Sequence, residues 1–253
     1  MLGEVVAAFM LLTRLPVGRF GSVHAENAFA GAVWAYPIVG VAIGAIGAAV
    51  YLLGVEIGMP PAFAAVCVIA ATVLATGALH EDALADMADG FGGGRSRAQK
   101  LEIMRDSRVG TFGVLALVLS VAARVAAITS IAVPGKVAMA LIGTGSLARG
   151  AMLVLVILLS PARRDGLAAD LRTTGKARVL VGLILSATVA FLLLPPAAAA
   201  IAAAATVLAA LCLSALAWRQ IGGYTGDVLG ATEMIAECSA LGLLATGIFS
   251  VSQ

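Results

Sequence analysis

Acidic and basic side chains are concentrated in one segment of this 253-residue chain, residues 80–108, which reads HEDALADMADGFGGGRSRAQKLEIMRDSR. Asp82, Asp86 and Asp89 stand four and three residues apart in it, so on a helix their carboxylates share one face. Like charges at this spacing repel each other unless a cation lies between them. The spacing therefore predicts a site for Mg²⁺ or Mn²⁺, which prefer oxygen ligands, with phosphate oxygens of a substrate completing the shell.

A solvated acidic helix end is the alternative interpretation of this cluster. The residues between the aspartates are mostly apolar, which is not typical of a solvated end, so we favour the metal site. Asp106 is a candidate fourth ligand, or else it pairs with Arg108. His80, directly before the acidic residues, is a candidate base or ligand.

A glycine run, Gly90-Phe91-Gly92-Gly93-Gly94, follows the aspartates and precedes Arg95, Arg97 and Lys100. Glycines allow backbone N–H groups to approach an anion closely, and the cations after them can neutralise phosphate charge. The run matches neither of the common nucleotide-binding glycine motifs, and a flexible connection is the alternative. Its position between acidic and basic clusters is what favours phosphate binding.

The composition indicates the elements that must position these residues. Hydrophobic residues make up 61% of the chain and charged residues 12%, with a mean hydropathy of +1.06, which excludes an ordinary soluble domain and a disordered chain. A net charge of +2 gives no reason to expect a nucleic-acid partner. We predict an all-α, polytopic membrane bundle of about seven helices, with spans near 31–54, 62–79, 110–133, 137–159, 178–194, 197–217 and 231–250.

The connections between these spans alternate in charge. If the spans are counted as above, 13 of the 16 basic residues lie on one side of the membrane. An excess of basic residues marks cytoplasmic segments, so this side is predicted to be the cytoplasm. The apolar run 5–12 is too short to cross and is predicted to form an interfacial or half-inserted helix.

Ionisable residues also occur inside the predicted spans. Arg124 and Arg149 need acidic, phosphate or backbone-carbonyl partners there, and Glu233 and Glu237 must be paired or metal-bound. Asp227 follows the Gly-Gly-Tyr-Thr-Gly sequence of 222–226 and is either a ligand or simply a residue of a helix start. The basic segment 163–178 is consistent with anion binding and equally with a topology signal.

Three stretches of the chain resemble a known family, the cobalamin synthases or adenosylcobinamide-GDP ribazoletransferases. They are Leu12-Thr13-Arg14-Leu15-Pro16, residues 80–111, and residues 222–231, which read GGYTGDVLGA, and they occur in the family's order. The usual family pattern H-L-D-G-L-A-D is changed here at Glu81 and Ala83, while the histidine and the aspartates are retained.

The resemblance implies an integral membrane transferase that joins the lower nucleotide to the corrin ring in cobalamin biosynthesis. In the family, the 3′-hydroxyl of α-ribazole or α-ribazole 5′-phosphate attacks the cobinamide phosphate of adenosylcobinamide-GDP, and GMP leaves. The implied cofactor is Mg²⁺, bound by carboxylates chosen from Asp82, Asp86, Asp89, Asp106 and Asp227. One of these carboxylates or His80 would accept the hydroxyl proton, which makes His80, Asp82, Asp86 and Asp89 the catalytic candidates. The candidate substrate-binding and phosphate-binding residues are Arg14, Gly90, Arg95, Lys100, Arg105, Arg108, Thr225 and Asp227.

The resemblance further implies one transmembrane catalytic domain, 1–253, in a bacterial inner membrane. Its cytoplasmic active site would be built from segments 13–30, 80–109, 160–178 and 218–237. Expected partners are the two substrates and the lipid bilayer; a homo-oligomer or association with other cobalamin-pathway enzymes stays open. The alternatives are another membrane transferase acting on nucleotide diphosphates, such as a CDP-alcohol phosphotransferase, and a transporter. The first lacks its D-x-x-D-G-x-x-A-R spacing here, and the second needs a polar path across the membrane.

Overall fold

The computed structural model describes residues 1–20 and 28–248, so residues 21–27 of the predicted site segment 13–30 lie outside the described residues. So do the last residues of the seventh predicted span. The described chain is helical, as expected, and the structure confirms a polytopic membrane bundle. Two short helices precede the first long one: α1 (Leu2–Leu12), at the position of the predicted interfacial helix, and α2 (Ala28–Gly31).

Within the described residues, six helical segments are long and apolar enough to cross a membrane. The last residues of five of these helices lie within a few residues of the last residues of their predicted spans. The sixth helix, α12, begins five residues earlier than predicted. The six helices are α3 (Tyr36–Glu56), α7 (Thr111–Ile131), α8 (Pro134–Leu158), α10 (Lys176–Leu193), α11 (Pro196–Ile221) and α12 (Gly226–Leu243). Prolines at the first turns of α3, α8 and α11 are favourable there because their missing N–H is not needed.

The second predicted span, 62–79, corresponds to one helix, and the chain bends sharply after it. Helix α4 (Pro61–Thr76) ends at Gly77, and α5 (Leu79–Gly93) begins after it at 89° to α4. Gly77 and Ala78 have φ of +67° and +58°, in the left-handed region where a helix ends. The acidic helix α5 is therefore not a straight continuation of α4, because these two residues turn the chain and give the aspartates a helix of their own.

The glycine run is helical rather than a loop. Helix α5 extends through Gly93, and α6 (Arg97–Ile103) follows after one turn, with the Ser96 side chain accepting a hydrogen bond from the Gln99 backbone N–H. Gly90 lies where α6 packs on α5: a Cβ at this position would stand 2.4 Å from Cγ of Met104. The run is thus a packing surface between two helices and not the flexible connection of the alternative interpretation, while phosphate binding by Gly90 stays a prediction.

The long helices pack closely enough to exclude side chains at some contacts. A Cβ at Gly40 of α3 would stand 2.1 Å from the carbonyl oxygen of Gly145 on α8, so only glycine allows this approach. Short helix α9 (Leu167–Asp170) lies in the connection between α8 and α10. The connections α4–α7, α8–α10 and α11–α12 all emerge at the same end of the bundle, where the candidate site is found.

Candidate functional site

An apolar cavity of about 200 Å³ opens between α1, α5, α9 and the start of α12. Its polar residues are His80, Asp82, Asp227 and Tyr36. We call it the apolar cavity, and most of its wall consists of the hydrophobic side chains Leu11, Leu12, Leu79, Met152, Leu171 and Leu229. The carboxylates of α5 and α12 therefore face an otherwise hydrophobic space.

A second cavity of about 230 Å³ adjoins the first. This polar cavity is lined by Pro161, Arg163, Asp165, Gly166, Ala168, Ala169, Tyr224, Thr225, Gly226 and Asp227. The two cavities share Ala168, Gly226 and Asp227, so Asp227 stands at the junction between an apolar and a polar space. A carboxylate at such a junction can contact a group held in either cavity.

The start of helix α12 determines the position of Asp227. The Thr225 hydroxyl accepts a hydrogen bond from the Val228 backbone N–H at 3.3 Å and donates one to Oδ2 of Asp227 at 3.1 Å. This cap places Asp227 in the first turn of the helix. Asp227 is therefore both a helix-start residue and a lining residue of the two cavities.

Four of the predicted aspartates lie close enough for their charges to interact. Burial of Asp86 disfavours its charged form most, and the negative charges of Asp82, Asp227 and Asp89 add to this effect in that order. Asp82 is exposed, and Asp86 is half-buried beside it on α5. Asp82 of α5 and Asp227 of α12 also line the same cavity, so carboxylates from two helices that are far apart in sequence face one space.

Among the residues that the structure describes, no group of three or more His, Cys, Asp or Glu side chains has the arrangement of a metal site. A complete protein cage is not what Mg²⁺ needs, since it usually takes one or two carboxylates and fills its shell with water and substrate phosphates. The donors available, Asp82, Asp86 and Asp227, are oxygen ligands whose mutual repulsion a cation would relieve. In donor chemistry and charge these residues fit Mg²⁺.

Asp89 has different surroundings. It is buried, and its two carboxylate oxygens accept hydrogen bonds from the backbone N–H groups of Gly110 at 2.6 Å and Gly113 at 2.9 Å. These donors lie at the start of α7, where N–H groups have no partner within the helix. In this structure Asp89 caps α7, and its role as a metal ligand stays a prediction.

Asp106 and Arg108 pair with each other. This is the second of the two interpretations of Asp106 given in the sequence analysis. Nη2 of Arg108 donates to Oδ2 of Asp106 at 2.6 Å, and this hydrogen bond lowers the pKa of Asp106. Neither residue lines the two cavities. The structure therefore does not bring Asp106 to the other aspartates.

The remaining predicted cations are distributed around the site. Arg105 pairs with Asp165 at the rim of the polar cavity, and Lys100 donates to the side chain of Gln220 on α11. Arg95 is exposed and lines neither cavity. Arg14 is also exposed, and its side chain crosses the α4–α5 break, where a Cβ at Gly77 would approach its Nε to 2.6 Å.

Arg163 is a cation of the site that the sequence analysis did not name among the candidate phosphate-binding residues. It lines the polar cavity, and its Nη2 donates to the Leu101 carbonyl oxygen at 2.6 Å, which holds the guanidinium in place. Burial lowers the pKa of Arg163, although a guanidinium remains charged at neutral pH. The only sequence signal was its position in the basic segment 163–178, which a topology signal explains equally well.

A cluster of charged residues lies beneath the cavities, inside the bundle. We call it the internal ion cluster, and it consists of His80, Glu81, Arg124, Arg149, Glu233 and Glu237. Arg124 pairs with Glu81 at 3.0 Å, and Arg149 pairs with Glu233 and lies 3.7 Å from Glu237. Nδ1 of His80 stands 3.1 Å from Glu233, so His80 belongs both to this cluster and to the wall of the apolar cavity.

The fold and the site together define a class of protein. Membrane-spanning helices hold two adjoining cavities and a set of carboxylates at the end of the bundle where the charged connections meet. The arrangement is that of a multi-pass membrane enzyme whose substrates bind at one membrane face.

Comparison with known proteins identifies the family. Residues 4–245 match the family model described as cobalamin-5-phosphate synthase, and the chain belongs to this family. Similar proteins include the adenosylcobinamide-GDP ribazoletransferases of Bradyrhizobium diazoefficiens, 44% identical with 92% of this chain and 89% of that protein covered, and of Azorhizobium caulinodans, 41% identical with 95% and 94% covered. The protein of the same name from Mesorhizobium japonicum is 38% identical, with 95% and 92% covered. No solved structure matches the chain.

Proposed function

We propose that this chain is the transferase that joins α-ribazole, or its 5′-phosphate, to the cobinamide phosphate of adenosylcobinamide-GDP. The observation that carries the proposal is the family match over residues 4–245, together with relatives of this activity that are similar over nearly their whole length. The site is consistent with it, since a carboxylate at the junction of an apolar and a polar cavity suits a reaction between a nucleoside and a diphosphate.

The reaction is a phosphoryl transfer. The 3′-oxygen of the ribose forms a bond to the phosphorus attached to cobinamide, and the bond from that phosphorus to the GMP oxygen breaks. The hydroxyl proton passes to a carboxylate of Asp82 or Asp227, or to His80, all of which line the apolar cavity. Catalysis of this kind depends mainly on positioning the reactants and neutralising charge.

Mg²⁺ would be held by one or two carboxylates from among Asp82, Asp86 and Asp227, and when bound it would supply positive charge to the diphosphate oxygens. Arg163 is placed to contact those oxygens from the polar cavity, with Arg105 at its rim. Asp89 supports the site indirectly because it fixes the start of α7 against α5. These assignments rest on the charges and cavity linings described above.

The protein would work in a bacterial inner membrane with the site facing the cytoplasm. The support is the charge distribution: 13 of 16 basic residues lie before the first spanning helix, in the connections at the end of the bundle where the site lies, or in the helix turns next to them.

The direct test is GMP release by the purified protein in detergent or nanodiscs, with adenosylcobinamide-GDP and α-ribazole, with and without Mg²⁺. We expect metal-dependent formation of GMP together with a corrinoid product, without any ion gradient. A folded, Mg²⁺-loaded preparation that releases no GMP would contradict the proposed activity.

A further inference from the structure

We propose that the apolar cavity binds the aromatic base of the acceptor nucleoside, while the polar cavity binds the diphosphate of the donor. This assignment rests on the proposed function and adds to it which substrate occupies which cavity. It places the reacting atoms at Asp227, the acidic residue that lines both spaces.

The charge of the linings supports the assignment. No lysine or arginine occurs among the described residues that line the apolar cavity, and its four ionisable residues are Tyr36, His80, Asp82 and Asp227. A diphosphate placed there would meet carboxylates without any protein cation, which is unfavourable in a space with hydrophobic walls. The polar cavity also has carboxylates, but Asp165 is paired with Arg105. The Arg163 guanidinium, held by its hydrogen bond to the Leu101 carbonyl, carries the charge opposite to that of Asp227.

The size of the apolar cavity agrees with a nucleoside base. A closed apolar cavity of roughly 150 Å³ holds a benzene ring, and this one measures about 200 Å³. A two-ring aromatic base is therefore close to the limit of what it can hold, with the attached ribose reaching out of it. A corrin ring is far too large to enter.

The polar groups of the apolar cavity are suited to the ribose of the nucleoside. Asp82 is exposed and Asp227 stands at the junction, so both carboxylates can accept hydrogen bonds from ribose hydroxyls. The base would contact the apolar side chains of α1 and of the segment after α9, represented by Leu11 and Leu171. One end of the ligand is then apolar and the other meets the reacting groups.

The test uses Leu11, a half-buried residue of α1 that lines the apolar cavity, with Met10 as the matched control. Met10 is the preceding residue of the same helix, is 45% exposed and lines neither cavity. KM and kcat are measured for both substrates with Leu11→Ala, Leu11→Trp, Met10→Ala and Met10→Trp. Two acceptor nucleosides are compared: one carries dimethylbenzimidazole as its base, and the other carries unsubstituted benzimidazole.

Leu11→Ala is expected to raise KM for α-ribazole about tenfold, since roughly fourfold in affinity is lost for each buried CH₂ group and Leu11 is half-buried. KM for adenosylcobinamide-GDP should stay within twofold. Leu11→Trp reduces the cavity, so it should penalise the dimethylbenzimidazole nucleoside more than the unsubstituted one. The ratio of the two KM values is the readout that general damage to the fold would not change, and both Met10 variants should leave it unaltered.

The assignment would be overturned if the Leu11 variants raised KM for adenosylcobinamide-GDP instead, or if the ratio of the nucleoside KM values did not change while turnover persisted. Failure of the proposed function looks different, because the unmodified protein would then release no GMP with either nucleoside. Size-exclusion elution and thermal unfolding in detergent identify a variant that has not folded. In that case Leu171→Ala, on another wall of the cavity, provides the same comparison.

Discussion

At the level of single residues, Asp82, Asp86 and Asp89 share one helix but have different surroundings. Asp82 reaches the apolar cavity, Asp86 lies among other negative charges, and Asp89 is satisfied by two backbone N–H groups of α7. The two hydrogen bonds hold the Asp89 carboxylate against α7, and Asp89 lines neither cavity. The three aspartates should therefore respond differently to substitution.

Replacing Asp82 or Asp86 with Asn should lower kcat/KM by about a hundredfold or more, because it removes charge from the proposed metal and proton-accepting site. Membrane insertion should not change. The measurement is GMP release at saturating Mg²⁺, and Asp170→Asn is the control, since Asp170 is exposed and lines neither cavity. Near-normal turnover of both variants would remove these residues from the mechanism.

Replacing Asp89 with Ala should instead lower the free energy of unfolding by about 1–3 kcal/mol, since the buried Gly113 N–H and the less buried Gly110 N–H both lose their acceptor. Thermal unfolding in detergent measures this. Asp106→Ala should leave stability unchanged because the Asp106–Arg108 pair is exposed. If Asp89→Ala unfolded normally but required far more Mg²⁺ for activity, Asp89 would be a metal ligand.

At the level of elements, helices α5, α7, α8 and α12 are joined by the internal ion cluster. Each of its arginines has an acidic partner on another helix, Arg124 with Glu81 and Arg149 with Glu233. A charge without a partner in the interior of a membrane bundle is costly, so these pairs specify which helices pack together. The cluster lies directly below the site through His80.

Arg149→Met should destabilise the protein by roughly 3–5 kcal/mol, because it leaves the charge of buried Glu233 without its partner. The double variant Arg149→Met with Glu233→Gln should recover part of the loss. Arg178→Met is the control, since Arg178 forms a largely exposed pair with Glu4. Equal unfolding temperatures for Arg149→Met and Arg178→Met would show that the internal pair does not contribute.

Gly40→Ala should separate α3 from α8. Its Cβ would stand 2.1 Å from the Gly145 carbonyl oxygen, and such overpacking usually costs about 1–3 kcal/mol. Gly135→Ala, on α8, is the matched control because a Cβ there meets nothing within 4 Å. Both variants are compared by thermal unfolding, and an unchanged transition for Gly40→Ala would contradict the close contact.

At the level of the whole molecule, the bundle has two unlike ends and an apolar outer surface. Large side chains on the outer faces of α7 and α10, such as Leu119 and Leu192, are exposed, as lipid-facing residues are. The charged connections and both cavities lie at one end, whereas the α3–α4, α7–α8 and α10–α11 connections lie at the other. The protein is built to act at one membrane face.

This asymmetry predicts the sidedness of labelling. In a variant without the three native cysteines, Arg172→Cys should react with a membrane-impermeant thiol reagent only in inside-out vesicles. Glu56→Cys should react only in right-side-out vesicles, because Glu56 is the last residue of α3 and lies at the end of the bundle opposite to the charged connections. Labelling of both positions from the same side would contradict the topology.

The sequence by itself determined the membrane class, most of the spanning helices and the aspartate-rich segment of the site. Hydrophobic runs of spanning length and the distribution of basic residues are local properties, which a chain carries whatever its neighbours are. It also indicated that Arg124, Arg149, Glu233 and Glu237 needed partners. The family motifs around Arg14, His80 and Asp227 could be recognised because they too are local properties of the sequence.

The tertiary structure alone decided which partner each charge has and which carboxylates meet. The 89° turn at Gly77 and Ala78, the helical glycine run, the Asp89 cap on α7 and the place of Arg163 in the polar cavity all depend on contacts between segments distant in sequence. Asp227 joins the α5 aspartates only because α12 packs on α5. Such contacts are set by packing of the whole bundle, and residue spacing along the chain carries no direct record of them.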